Sequence, residues 1–272
     1  MRNGTYHFTL IALTLIVLSD SARATDRSSY HLFNPVPSNE MRPLATDRPD
    51  RTESPYTVDP GHFQFEIDLF NQVHNASTTE SLVGGINAKA GLTDSIDLQV
   101  ITESLVFLNR TSDPPASGFG DTTVRVKFNV LGNDEGDYAL GLMPYYTLPT
   151  RSEALGRSTP TIGMAIPFAY PLPWGISGGF MLEPTWTLAE LSTLTERFAF
   201  ASMATFATDL IGNLGGYIEF YNRLSSNPLI ATLDIGFTWG MKPDLQWDLG
   251  ANIGLTESTE DLNWFAGVSF RL

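Results

Sequence analysis

The stretch that decides the fold is His62–His74, HFQFEIDLFNQVH. Phe63, Phe65, Ile67 and Leu69 point one way, and Gln64, Glu66 and Asp68 point the other. A period of two is the signature of a strand; at 3.6 residues per turn the same apolar positions would scatter round a cylinder. The alternation recurs along the chain. Val124, Val126, Phe128 and Val130 oppose Arg125, Lys127 and Asn129. Leu245, Trp247, Leu249, Ala251 and Ile253 oppose Gln246, Asp248, Gly250 and Asn252. The last run sets Leu262, Trp264, Ala266, Val268, Phe270 and Leu272 against Asn263, Gly267, Ser269 and Arg271.

Gly, Pro, Asn and Asp at turns divide residues 62–272 into about twelve such runs. The expected spans are 62–74, 80–92, 94–106, 119–131, 137–149, 159–170, 174–187, 196–208, 213–223, 229–240, 244–255 and 261–272. Their connections alternate in length. Leu92-Thr93-Asp94, Gly132–Gly136, Pro171-Leu172-Pro173 and Met241–Asp244 are short; Phe107–Gly118 and Thr150–Ser158 are long and polar. Short periplasmic turns and longer outer loops are the habit of outer-membrane barrels, and a soluble sandwich has no reason to alternate this way. Tyr138, Tyr146, Trp174, Trp186, Trp239, Trp247 and Trp264 fall towards run ends, where amphipathic rings favour the membrane–water interface. An unpaired backbone N–H or C=O in hydrocarbon costs several kcal/mol or so, which obliges the first and last strands to meet. The fold class is therefore all-β: a transmembrane up-and-down antiparallel β-barrel with an irregular N-terminal arm. The chain ends on a strand with Phe270 and Leu272 on the apolar face. This resembles the C-terminal strand read by the barrel-assembly machinery, with Leu in place of the usual final Phe.

Composition agrees. Charged residues are 17%, aromatics 11% and mean hydropathy is −0.05. No long apolar run follows the first two dozen residues, and lipid-facing and lumen-facing residues average out in a barrel. The net charge of −14 argues against nucleic acid as a partner. With no cysteine, thiol catalysis, disulfides and Cys-based metal sites are excluded.

Residues 1–24 read as a secretory signal peptide: Arg2, the apolar run Thr9–Leu18, then Ala22-Arg23-Ala24 as the cleavage site. Residues 25–61 hold six prolines and no periodicity, which makes them an irregular arm. Its dense charges are Asp47, Arg48, Asp50, Arg51 and Glu53. Two readings stand side by side, a periplasmic tether or a plug folded into the barrel. In the second, Arg48 and Arg51 are expected to dock on Glu66 or Asp68 through their guanidinium forks.

The barrel over 62–272 is expected to carry lumen charges at Glu66, Asp68, Asp97, Glu103, Arg125, Lys127, Glu183, Glu219, Asp234, Asp248 and Arg271. Acidic groups outnumber basic ones. One reading is a polar, weakly cation-preferring path; the other is a closed ion-pair network that conducts nothing. Catalysis finds little support, because His62 and His74 sit at opposite ends of one strand, roughly 40 Å apart, and His31 lies in the arm. No metal or cofactor motif appears.

The arm motif Thr46-Asp47-Arg48-Pro49-Asp50, with Glu53-Ser54-Pro55, Gly61, Gln64 and Glu66, resembles the outer-membrane transporter family named for a MetA pathway of phenol degradation. Further points of likeness are Gly91-Leu92-Thr93-Asp94, Gly118–Asp121 with Lys127, Leu148-Pro149-Thr150, Leu245-Gln246 with Asp248–Gly250, and Gly267 with Phe270-Arg271. The resemblance implies a barrel in the outer membrane that passes small, aromatic or hydrophobic compounds without a cofactor. Its implied partners are outer-membrane lipid, the assembly machinery and a small-molecule solute. A non-conducting barrel that binds lipid or a partner is the alternative.

Overall fold

The computed structural model describes residues 27–134, 136–188, 198–225 and 228–272, so the expected signal peptide lies outside the described residues. Fifteen strands form one antiparallel sheet that closes on itself. They are β1 (Phe63–Asn75), β2 (Thr78–Val83), β3 (Gly85–Thr93), β4 (Ile96–Thr102), β5 (Leu105–Arg110), β6 (Asp113–Gly118), β7 (Thr122–Leu131) and β8 (Ala139–Leu148). Then come β9 (Thr161–Leu172), β10 (Ile176–Thr187), β11 (Phe198–Ile211), β12 (Leu214–Leu224), β13 (Ile230–Lys242), β14 (Leu245–Gly254) and β15 (Leu262–Arg271). Three staves are interrupted. β1 pairs with both β2 and β3, β4 and β5 continue one another beside these, and β6 and β7 do the same one place further on. The result is a twelve-stave up-and-down barrel, and the twelve runs read from alternation correspond to its staves.

Closure is made by β1 and β15, from Gln64↔Arg271 to His74↔Leu262. At the seam, Leu272 N donates to Phe63 O at 2.8 Å, and Phe63 N donates to Leu272 O at 3.3 Å. The register slips between Asp68 and Phe70, a bulge that leaves Leu69 and Phe70 both on the outer face. Without it the alternation would turn Phe70 into the lumen; with it, Phe70 packs on Trp264, ring centroids 4.5 Å apart.

One expectation fails. Phe107–Gly118 was expected to be a long loop, yet most of it is the hairpin β5–β6. The hairpin's inner face, Val106 and Leu108, is buried with Leu155 of the β8–β9 connection, and Leu82 and Ala116 pack beside them. Pro114 and Pro115 disguised the strand. β6 pairs only with β5, and a sheet edge tolerates their missing N–H groups.

The outer surface is apolar. Phe206, Phe220, Phe237, Leu249 and their like stand exposed, and all seven aromatics expected near strand ends face outward. Trp174, in the periplasmic turn between β9 and β10, is 92% exposed. Lipid is the solvent that makes such a surface stable. No helix among the described residues is long and apolar enough to cross a membrane.

Candidate functional site: an occupied lumen

The arm cannot join the sheet, because its prolines remove donors and lock φ. Its backbone polar groups still need partners, and the inward residues of the staves supply them. Asp47 N and Arg48 N donate to Glu66 at 3.0–3.1 Å; Arg51 N and Thr52 N donate to Glu219, each at 2.8 Å; Val58 N donates to Asp97 at 3.0 Å. The arm thus runs through the barrel and is held from opposite walls.

Asp47 is the hub. Its carboxylate accepts from Lys89 at 2.5 Å, Lys127 at 2.6 Å and Arg125 at 3.3 Å, and from Ser54 N at 3.0 Å. Burial pushes this carboxyl up, but Lys127, Lys89 and Arg125 outweigh it and hold Asp47 well below the ordinary carboxylate range. The Arg48 guanidinium lies over Gly267, between two carboxylates on the strands either side of it. Its Nη2 and Nε meet the Asp248 carboxylate at 2.7 and 3.1 Å, its Nη1 bonds Asp68, and the guanidinium lies 5.8 Å from the Phe265 ring centroid. Arg51 bonds Asp234 at 3.2 Å and Glu260 at 3.0 Å, stacked 4.5 Å over Tyr221. Glu53 pairs with Arg125 through both oxygens. The wall is shaped for this cargo: a Cβ on Gly267 would collide with the Arg48 guanidinium, and one on Gly91 with the Asp59 carbonyl.

At the periplasmic rim, which carries both ends of the barrel chain, a second cluster fastens the arm. Asp59 is fully buried and accepts from Arg27 at 2.8 Å and Arg271 at 3.1 Å. Arg42 N also donates to it, at 2.9 Å. The Arg42 guanidinium bonds Asp94 in the β3–β4 turn and, at 2.8 Å, Asp134 in the β7–β8 turn. Arg271 reaches Asp244 in the β13–β14 turn at 2.6 Å. Burial holds the Asp94 carboxyl above its usual range; Arg42 opposes the shift and Asp134 adds to it.

Of the lumen charges read from sequence, Glu66, Asp68, Asp97, Arg125, Lys127, Glu219, Asp234 and Asp248 meet the arm directly, and Arg271 meets it at the rim. Two do not. Glu183 accepts from Tyr145 Oη at 2.7 Å on a wall away from those ion pairs. Glu103 sits at the outer rim, taking Asp121 N at 3.2 Å and facing Arg151 at 3.9 Å. The docking expected of the two arginines holds only in part, for Arg48 on Asp68. Arg48 takes Asp68 singly and Asp248 bidentately, Arg51 takes neither Glu66 nor Asp68, and Glu66 is occupied by backbone N–H groups. Asp248 and Asp234 lie about two hundred residues along the chain, a proximity that only barrel closure creates.

Alternation in Gly85–Thr93 could have found Lys89, and that in Ile96–Thr102 could have found Gln99, the acceptor of Arg125 Nε at 2.8 Å. Arg27, Arg42 and Asp59 carried no sequence signal, since the arm has no period. The lumen also has an apolar wall that went unread. Met143, Ala165, Met181, Ala201 and Met203 form a buried cluster on β8–β11, with Tyr221 packed against it.

Two cavities flank the arm. One, of about 260 Å³, lies towards the periplasmic side and is lined by Arg48, Asp50, Ser177, Tyr217, Thr238 and Gln246 among others. The other, of about 230 Å³, lies towards the outer side beside Asp68, Asn87, Thr102, Glu103 and Arg125. Arg48 lines both.

A closed antiparallel barrel with an apolar exterior and a charged, occupied lumen defines an outer-membrane β-barrel protein. The chain belongs to the family described as "Putative MetA-pathway of phenol degradation", whose profile matches residues 46–272. Among solved structures it is similar to a COG4313 outer membrane channel from Pseudomonas putida F1, at 13% identity and a TM-score of 0.63, over 79% of this chain and 100% of that one. It is also similar to the NanC porin, at 10% identity and a TM-score of 0.55, over 77% of this chain and 100% of that one. At these identities the likeness concerns the fold. No curated protein matches the chain.

Proposed function

We propose that the protein is a passive outer-membrane channel for small solutes, with its own N-terminal arm as the constriction. One observation carries the reading. The arm segment lies between two cavities, with Thr46, Pro49 and Asp50 on one and Asp47 and Glu53 on the other, and Arg48 borders both. A lumen built only as a filled core would have no reason to keep a recess on either side of the arm. The methionine wall with Tyr221 supports aromatic or apolar solutes, because thioethers are polarizable and pack well on rings. The solved channels and porins of this fold are consistent with a conducting role.

No catalytic role is proposed. His62 is bonded to the carbonyls of Val36 and Leu272, and His74 to Gln72 and Thr79, which are structural partners. A second reading, a non-conducting structural barrel, is favoured by the arm-to-wall ion pairs of Asp47, Arg48 and Arg51. Single-channel recording of the refolded full-length barrel separates the two. The channel reading expects small, resolvable conductance steps, and an electrically silent barrel would favour the structural one.

A further inference from the structure

Every charged residue of the arm's dense stretch has an oppositely charged partner but one. Asp47, Arg48, Arg51 and Glu53 are all paired with charges of the wall. Asp50 has no ion-pair partner among the described residues. It lies beside Thr205 and in the field of a second carboxylate, Glu219. Burial, and then Glu219, push the Asp50 carboxyl well above the usual range. Its side chain lines the periplasmic cavity of about 260 Å³.

The remaining lining says what could enter. Ser177, Thr208, Thr238 and Gln246 offer hydroxyl and amide groups to the same space. Tyr217 also lines it; the residue is 7% exposed and its hydroxyl has no hydrogen-bond partner. A buried hydroxyl without a partner is short of a hydrogen bond that a ligand could supply. Arg48 does not turn the site positive, because Asp68 and Asp248 together exceed its charge.

We propose that this chamber is a binding site for a small organic cation carrying hydroxyl groups, its ammonium held by Asp50 and its hydroxyls by the Ser177, Thr238 and Gln246 side. Binding there does not require the barrel to conduct. The site would make the periplasmic half of the lumen selective for charge, as the methionine wall makes another part selective for apolar surface.

Calorimetric titration of the detergent-solubilised, full-length barrel tests it, with glucosamine as the probe and glucose as its neutral counterpart. Saturable glucosamine binding is expected, at least tenfold tighter than glucose. Asp50→Asn should weaken glucosamine at least tenfold and leave glucose unchanged. Should Asp50→Asn not fold, Ser177→Phe fills the chamber without touching an ion pair of the arm and should abolish binding. Equal affinity for the two sugars, no saturable binding, or a Ser177→Phe barrel that binds as wild type would each overturn the proposal. The readout is heat, not current, so a silent but glucosamine-binding barrel would reject the channel and keep the site.

Discussion

Arg48→Ala tests the constriction most directly. The arginine bonds both oxygens of Asp248 and one of Asp68, and the Asp248 side chain is fully buried. Truncation leaves Asp248 without a cation. Removing one partner of a buried pair costs about 3–5 kcal/mol, mostly as the penalty of the abandoned charge. The Arg48 side chain retains 14% exposure and borders two cavities, so the lower end applies, about 3 kcal/mol. Undocking the arm lets water reach Asp248 and recovers that energy, so the ratio of undocked to docked arm should rise about 100-fold. The side chain dividing the cavities of about 260 and 230 Å³ also disappears. Single-channel recording should therefore show larger steps from the docked state and a longer fraction of time in the largest one. Arg48→Lys keeps the charge but loses the fork and should fall between. Wild-type step size and dwell times in Arg48→Ala, in a barrel that still migrates as folded on unheated gels, would refute Arg48 as the partition.

Other expectations follow from the same contacts. Gly267→Leu places a side chain where the Arg48 guanidinium lies, and should release the arm to trypsin while the barrel stays protected. Asp47→Ala leaves Lys127 with only the Tyr56 carbonyl at 3.2 Å and should weaken arm docking by about 3–5 kcal/mol, read as faster amide exchange over residues 46–53. The raised Asp50 carboxyl opposes the docked arm when ionised, so its penalty is full above its folded pKa, shrinks as pH falls below that value and is gone below its unfolded pKa. The lowered Asp47 carboxyl contributes stability above its unfolded value and loses it as pH falls below about 4 towards its folded pKa. Glu53, pushed up to about 7 chiefly by burial, adds to the same effect, so arm protection should rise on mild acidification and fall in strong acid, and Asp50→Asn should reduce the rise and leave the fall. Leu155→Ala empties the core under the β5–β6 hairpin at a cost of about 2–5 kcal/mol, and should expose that hairpin to protease without altering conductance.

The sequence by itself determined the barrel, because a strand's side chains alternate strictly and lipid and lumen demand opposite residues. His62–His74 and Leu262–Leu272 each declare which face is which without reference to any neighbour. The same alternation exposed most wall charges, from Glu66 to Asp248. It failed where period and burial part company: in the bulge at Leu69, in the proline-bearing β6, and at Phe265, an aromatic turned into the lumen that Gly250 leaves room for. Only the tertiary structure decided the pairing of charges. Arg48 and Asp248, two hundred positions apart, meet because the sheet closes and the arm threads it, and neither event has a local signature. Charge pairing between arm and wall is a property of closure, whereas facing inward is a property of the pleat.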